Sequence, residues 1–194
     1  MRPLLVIAMV LTAAMSTGCS DEPAPGPESG AGPSLSVPPV PEPLDAERFR
    51  EAPCELLSAR QASELGLPVT AQERSAGRPT CVLRPADQDP LDTVTIRFQS
   101  STGLAGIARQ CANSAECDFW GVDTIEGYPV IRANGDLEST YGLCRLFLGV
   151  ADDTAILIAD GDVATAGRTE TEGGPRCDRA DRTAAFVINT LEGR

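Results

Sequence analysis

The chain of 194 residues contains no histidine, and each of its 16 basic residues is an arginine. Without histidine there is no Ser-His-Asp or Cys-His relay, and without lysine there is neither a Schiff base nor a Ser-Lys dyad. No Cys-x-x-Cys occurs either, so the spacing of a structural zinc site is missing. No cofactor is expected. Aromatic residues are scarce, at 4% with one Trp. Basic charge is also in deficit: 28 acidic residues against 16 basic ones leave a net charge of −12. That balance argues against nucleic acid and anionic membrane surfaces as partners, since both demand a basic face that displaces counterions. A spanning apolar run is lacking too. The stretch from Leu4 to Met15 is about a dozen residues, where crossing a bilayer takes roughly 20.

What is present gives that short run a meaning. Arg2, the apolar stretch and the small residues of Ser16-Thr17-Gly18 precede Cys19, the pattern of a secretory signal over residues 1–18 whose removal leaves Cys19 as a lipid-bearing N-terminus. The lipobox is irregular, with Ser16 where an aliphatic is usual and Met15 supplying bulk one place early. Cysteine arithmetic agrees: of seven cysteines, setting Cys19 aside for lipid leaves six, namely Cys54, Cys81, Cys111, Cys117, Cys144 and Cys177. An exported chain meets an oxidising compartment, where six thiols are expected to form three disulfides.

Residues 19–45 read as a tether. Prolines recur at 23, 25, 27, 33, 38, 39, 41 and 43, with only Leu35, Val37, Val40 and Leu44 as larger apolar side chains. That mixture is too poor in hydrophobes to fold. At about 3.1 Å per residue such a segment reaches on the order of 70 Å.

Residues 46–194 have the size of one domain. Ser58-Ala59-Arg60-Gln61 is a capping box and Gly66 a C′ residue, so a short helix is expected near 58–65. Val94, Ile96 and Phe98 alternate with Thr93, Thr95 and Arg97 as a half-buried strand, paired in a hairpin with the segment around Cys81-Val82-Leu83. Leu104, Ile107, Ala108 and Cys111 fall at helical spacing. Thr124 to Ala133 reads as a strand or a hairpin, and Tyr141 to Val150 and Thr154 to Ala159 read as strands joined by a turn at Asp152-Asp153. Asp178 caps a helix in which Ala180, Ala184, Val187, Ile188 and Leu191 form one apolar stripe. The expected fold is α+β: a mainly antiparallel sheet of about five strands with helices packed on it.

Element order suggests a pairing. Cys177 precedes a helix that lies on the face to which Cys144 points, Cys54 precedes the first helix, Cys81 lies on the first strand, and Cys111 and Cys117 remain to close a small loop. Six cysteines allow many connectivities, and this sequential one is expected.

A lipobox, a Pro/Ser/Gly tether, Pro53-Cys54-Glu55-Leu56-Leu57 with Leu65-Gly66-Leu67, Cys81-Val82-Leu83, Ile125-Glu126-Gly127-Tyr128-Pro129-Val130, then Cys144 and Cys177 in this order resemble the actinobacterial secreted lipoproteins grouped under domain of unknown function 3558. The resemblance covers nearly the whole chain. It implies a four-cysteine frame, to which Cys111 and Cys117 are an added pair, and Leu83 stands where family members often carry an aromatic. It implies no activity, cofactor or substrate.

Candidate functional residues are few. Phe119-Trp120 reads as an exposed contact for a partner or as a plug for the small core, and the plug is favoured. Asp160-Gly161-Asp162 has oxygens for Ca²⁺ but lacks the rest of the loop, so a solvated turn is the better reading. Two functions stand against each other. The first is a non-catalytic binding or interaction module on the outer face of the cell membrane, whose partners are the bilayer through Cys19 and an envelope protein or small ligand. The rival is a carboxylate-only hydrolase of envelope glycans drawing on Asp136, Glu138, Asp160 and Asp162, which needs two carboxyl groups about 5 to 9.5 Å apart.

Overall fold

Alternation of side chains decides the middle of the molecule. In the computed structural model, which describes residues 36–87, 92–99, 103–113, 119–134, 143–161 and 177–194, strand β3 (Thr93–Gln99) buries Val94, Ile96 and Phe98 and leaves the residues between them half-exposed. Six further strands join it: β1 (Val69–Ser75), β2 (Arg78–Arg84), β4 (Phe119–Ile125), β5 (Tyr128–Asn134), β6 (Leu143–Ala151) and β7 (Thr154–Gly161). They form one antiparallel sheet in the order β1-β2-β3-β7-β6-β5-β4. The described residues all belong to the unit Pro33–Arg194.

The sheet thus has seven strands where about five are expected. The polar segment Val69–Ser75 forms an edge strand that is largely exposed along its length, so no buried row marks it in the sequence. Of the strand or hairpin expected over Thr124 to Ala133, the structure has the hairpin, β4 and β5, turning at Glu126-Gly127 with φ of 50° and 84°. The β1–β2 hairpin turns the same way at Ala76-Gly77, with φ of 50° and 79°. Two successive positive φ values give the tight turn whose twist matches the strands.

Helices cover both faces. On one lie α1 (Ala59–Glu64), held by the expected Ser58–Gln61 capping box, and α3 (Asp178–Leu191). The 3₁₀ turns Glu47–Phe49 and Pro53–Leu56 lie on the same face. They enclose the larger core with Leu83, Ile96, Leu146, Leu148, Ile156 and Ile158. Ala180, Ala184, Val187 and Ile188 are fully buried there, while Leu191 is only partly so. Cys177, not Asp178, occupies the N-cap position of α3, and Asp178 and Asp181 sit in the first turn, where carboxylates favour the helix dipole.

On the other face, α2 (Gly103–Ala112) buries Leu104, Ile107, Ala108 and Cys111 against Ile131, Phe147 and Leu157. Gly103 makes that seat possible: its φ is +51°, and a Cβ there would lie 2.0 Å from the Asp152 carbonyl oxygen.

The end of the Pro-rich segment is not tether. Val40 and Leu44 pack on the larger core and Val37 on the smaller one. The Leu44 N–H donates to the Val150 carbonyl at 2.8 Å. Three apolar side chains cannot build a core, but they suffice to dock a proline-stiffened strand on a surface that is already folded. Ser36 to Asp45 therefore forms a strap across the domain.

Candidate functional site

Asp160 sits where the inward row of β7 runs Ile156, Ile158, Asp160, so strand parity carries a carboxylate to the buried face. It is 2% exposed. The first turn of α3 answers it with Arg179, whose Nε donates to Asp160 Oδ1 at 2.9 Å and whose Nη1 donates to Asp92 Oδ1 at 2.6 Å. A third donor, Nη2, also reaches the Gly161 carbonyl at 3.0 Å. Burial alone would lower the Arg179 pKa; the hydrogen bond and charge of Asp160, then those of Asp92, outweigh it and hold the guanidinium above its ordinary value. Asp160 is therefore neither part of a solvated turn nor a free acid: it is the buried half of an ion pair that fixes α3 to the sheet. Removing either partner would strand the other charge.

Cys144 pairs with Asp160 in the β6–β7 ladder and is disulfide-bonded to Cys177, directly before α3. The other end of this face carries the Cys54–Cys81 bond between the second 3₁₀ turn and β2. Both are the pairings that element order suggests. Cys111 is also disulfide-bonded. Cys117, Asp136, Glu138 and Asp162 lie outside the described residues, as does Cys19. Phe119 and Trp120 open edge strand β4, opposite Asn134 and Ala133. Their side chains are outside the description, so the choice between plug and contact is not addressed.

Among the described residues no group of three or more His, Cys, Asp or Glu is placed to hold a metal ion, and no helix is long and apolar enough to cross a membrane. A cavity of about 100 Å³ lies under the strap, lined by Val37, Val40, Leu104, Pro129 and Asp152 among others. Ligand pockets usually hold roughly 300–1,000 Å³, so this one fits a side chain or a few waters.

A family model described as a protein of unknown function, DUF3558, matches residues 14–190. The chain belongs to the DUF3558 family. No curated protein and no solved structure matches it. For this DUF3558 chain, the matched span takes in Cys19 as well as the two disulfides that tie the 3₁₀ turn and α3 to the sheet.

Sequence reasoning missed Arg179 as Asp160's partner and Asp92 as the second carboxylate on Arg179. The signal was available: a carboxylate at inward parity in an apolar strand requires a cation from whatever packs above it. Arg132 was missed as well. It donates to Asp123 Oδ2 and to both Asp181 oxygens at 2.9 Å, linking β5, β4 and α3.

Proposed function

We propose that the chain is a lipid-anchored lipoprotein of the outer face of the cell membrane whose domain is a non-catalytic binding module. The observation that carries the anchor is Cys19 behind a short apolar run, followed by a proline-rich segment. The binding reading is supported by the fate of Asp160. Of the four carboxylates that a glycan hydrolase could draw on, it is the one within the described residues, and its ion pair with Arg179 withdraws it from acid–base work. Among the described residues, the cavity under the strap is too small for a sugar chain.

Metabolic labelling with a fatty acid tests the anchor. The wild type incorporates label and sediments with membranes, and Cys19→Ala abolishes the label and either releases the chain or leaves it unprocessed. A wild type that takes up no label overturns the lipoprotein reading.

A further inference from the structure

Parity places a second set of arginines on the face that α2 only half covers. Val82 lies opposite Thr95 in the β2–β3 ladder, and Thr95 in turn lies opposite Ala159 of β7. Along the same side of these strands run Arg78 of β2, which is opposite Ser75, and Arg97 of β3, which is opposite Leu157. Arg145 of β6 is opposite Ala159. Arg145 thus lies in the Thr95–Ala159 row, Arg97 one inward-outward repeat along β3, and Arg78 at the Gln99 end of that strand, with neighbouring strands only about 4.8 Å apart.

Among the described residues seven other arginines ion-pair with a carboxylate. Arg50, Arg84, Arg132 and Arg179 each meet a carboxylate. Arg78 has instead a single contact to an amide, Nη1 to Gln99 Oε1 at 3.1 Å, and the Arg97 Nε is buried with no acceptor. Among the described residues neither ion-pairs with a carboxylate, in a chain with 28 acidic residues to choose from. Burial, then the charges of Arg78 and Arg145, depresses the Arg97 pKa, so the Arg97 guanidinium lies within reach of both neighbouring positive charges.

We propose that Arg78 and Arg97 form a binding site for a small dianionic oxyanion, a phosphate or phosphate monoester, on the half of this face that α2 does not cover. Two neighbouring unneutralised charges are best balanced by a ligand that brings two, and guanidinium forks match phosphate oxygens in pairs. The −12 net charge selects for size. It repels polyanions and anionic surfaces at long range, whereas screening over about 8 Å in physiological salt leaves a short-range pair with one small anion intact. The site rests on the reading of the domain as a binding module and is independent of the lipid anchor.

Calorimetric titration of the purified, detergent-solubilised full chain with inorganic phosphate, glycerol 3-phosphate and acetate tests it. Saturable binding of at least one of the two phosphates is expected, weakened by about tenfold or more in Arg78→Gln and in Arg97→Gln, and unchanged in Arg60→Gln on the exposed side of α1. Binding of glycerol 3-phosphate alone supports the site and identifies an ester as the ligand; binding of both admits free phosphate. Absence of binding by either, affinity unchanged in the arginine variants, or equal affinity for acetate overturns the proposal. Arg78 is exposed, so its variant carries the test even where Arg97→Gln disturbs folding. Failure here leaves the fatty-acid label on Cys19 untouched, and the two readings fail separately.

Discussion

The two faces of the sheet are built from the same strands and have different construction. One is sealed by α1, α3 and two 3₁₀ turns, with both fully described disulfides and the Arg179–Asp160 pair on its rim. Among the described residues the other has α2 and the strap over part of its width, and arginines stand on the remainder. Adjacent residues of one strand show the contrast: Leu146 faces the sealed side and Phe147 the half-covered one. Stability is concentrated on one side, which leaves the other free to carry polar chemistry without cost to the core.

The sharpest way to break this comparison is Ile188→Asp in α3. Ile188 is fully buried, so an unpaired carboxylate there should cost more than about 4 kcal/mol and prevent folding. Asn189→Asp, one residue on and partly exposed, should cost less than about 1 kcal/mol. Thermal melts followed by circular dichroism decide, and equal stability of the two variants would show that α3 does not seal the face.

A finer test compares the two residues of β6. Leu146→Ala should cost about 3–5 kcal/mol, because the sealed side cannot collapse into the cavity. Phe147→Ala, although it removes more atoms, should cost only about 2–3 kcal/mol, since α2 alone lies over it and can settle. Urea denaturation gives both values, and a larger loss for Phe147→Ala would mean that the two faces are equally rigid.

The smallest effect concerns Tyr128, inside the sealed face. Burial, then the charges of Glu192 and Glu42, holds its phenol above the usual range. A raised pKa keeps the proton on in the folded state, so this contribution to stability is complete below the unfolded value of about 10 and is lost as pH climbs through the folded one. Tyr128→Phe should flatten the alkaline limb of the stability curve and cost under about 1 kcal/mol at neutral pH. An unchanged alkaline limb would place the phenol in water.

How much of this was legible in the sequence depends on whether a residue's role is local. The capping box at Ser58, the alternation around Ile96 and the stripe of Ala184, Val187 and Ile188 are periodic signals, and each element stands where they place it. Strand β1 was not legible because Val69–Ser75 buries almost nothing and borrows its order from β2. The turns at Ala76-Gly77 and Glu126-Gly127 lack the Asn or Asp that usually leads such a turn, so Thr124 to Ala133 reads as either a strand or a hairpin. The strap was hidden by its composition: Val37, Val40 and Leu44 count for little until a surface exists to receive them. Arg78 and Arg97 are both outward residues in any reading, but only the register of β2 on β3 brings them together.

Connectivity has a further consequence for how the chain can mature. Cys54 bonds to Cys81 over a separation of 27 residues and Cys144 to Cys177 over 33. The centre of the sheet, where β3 meets β7, is crossed by neither. A chain delivered into an oxidising compartment N-terminus first presents Cys54 and then Cys81 before any other domain cysteine, so the first bond open to it is native. The same holds for Cys144 and Cys177 at the other end. For these two pairs, oxidation in order of arrival and oxidation in the folded state give the same bonds, so neither pair requires reshuffling.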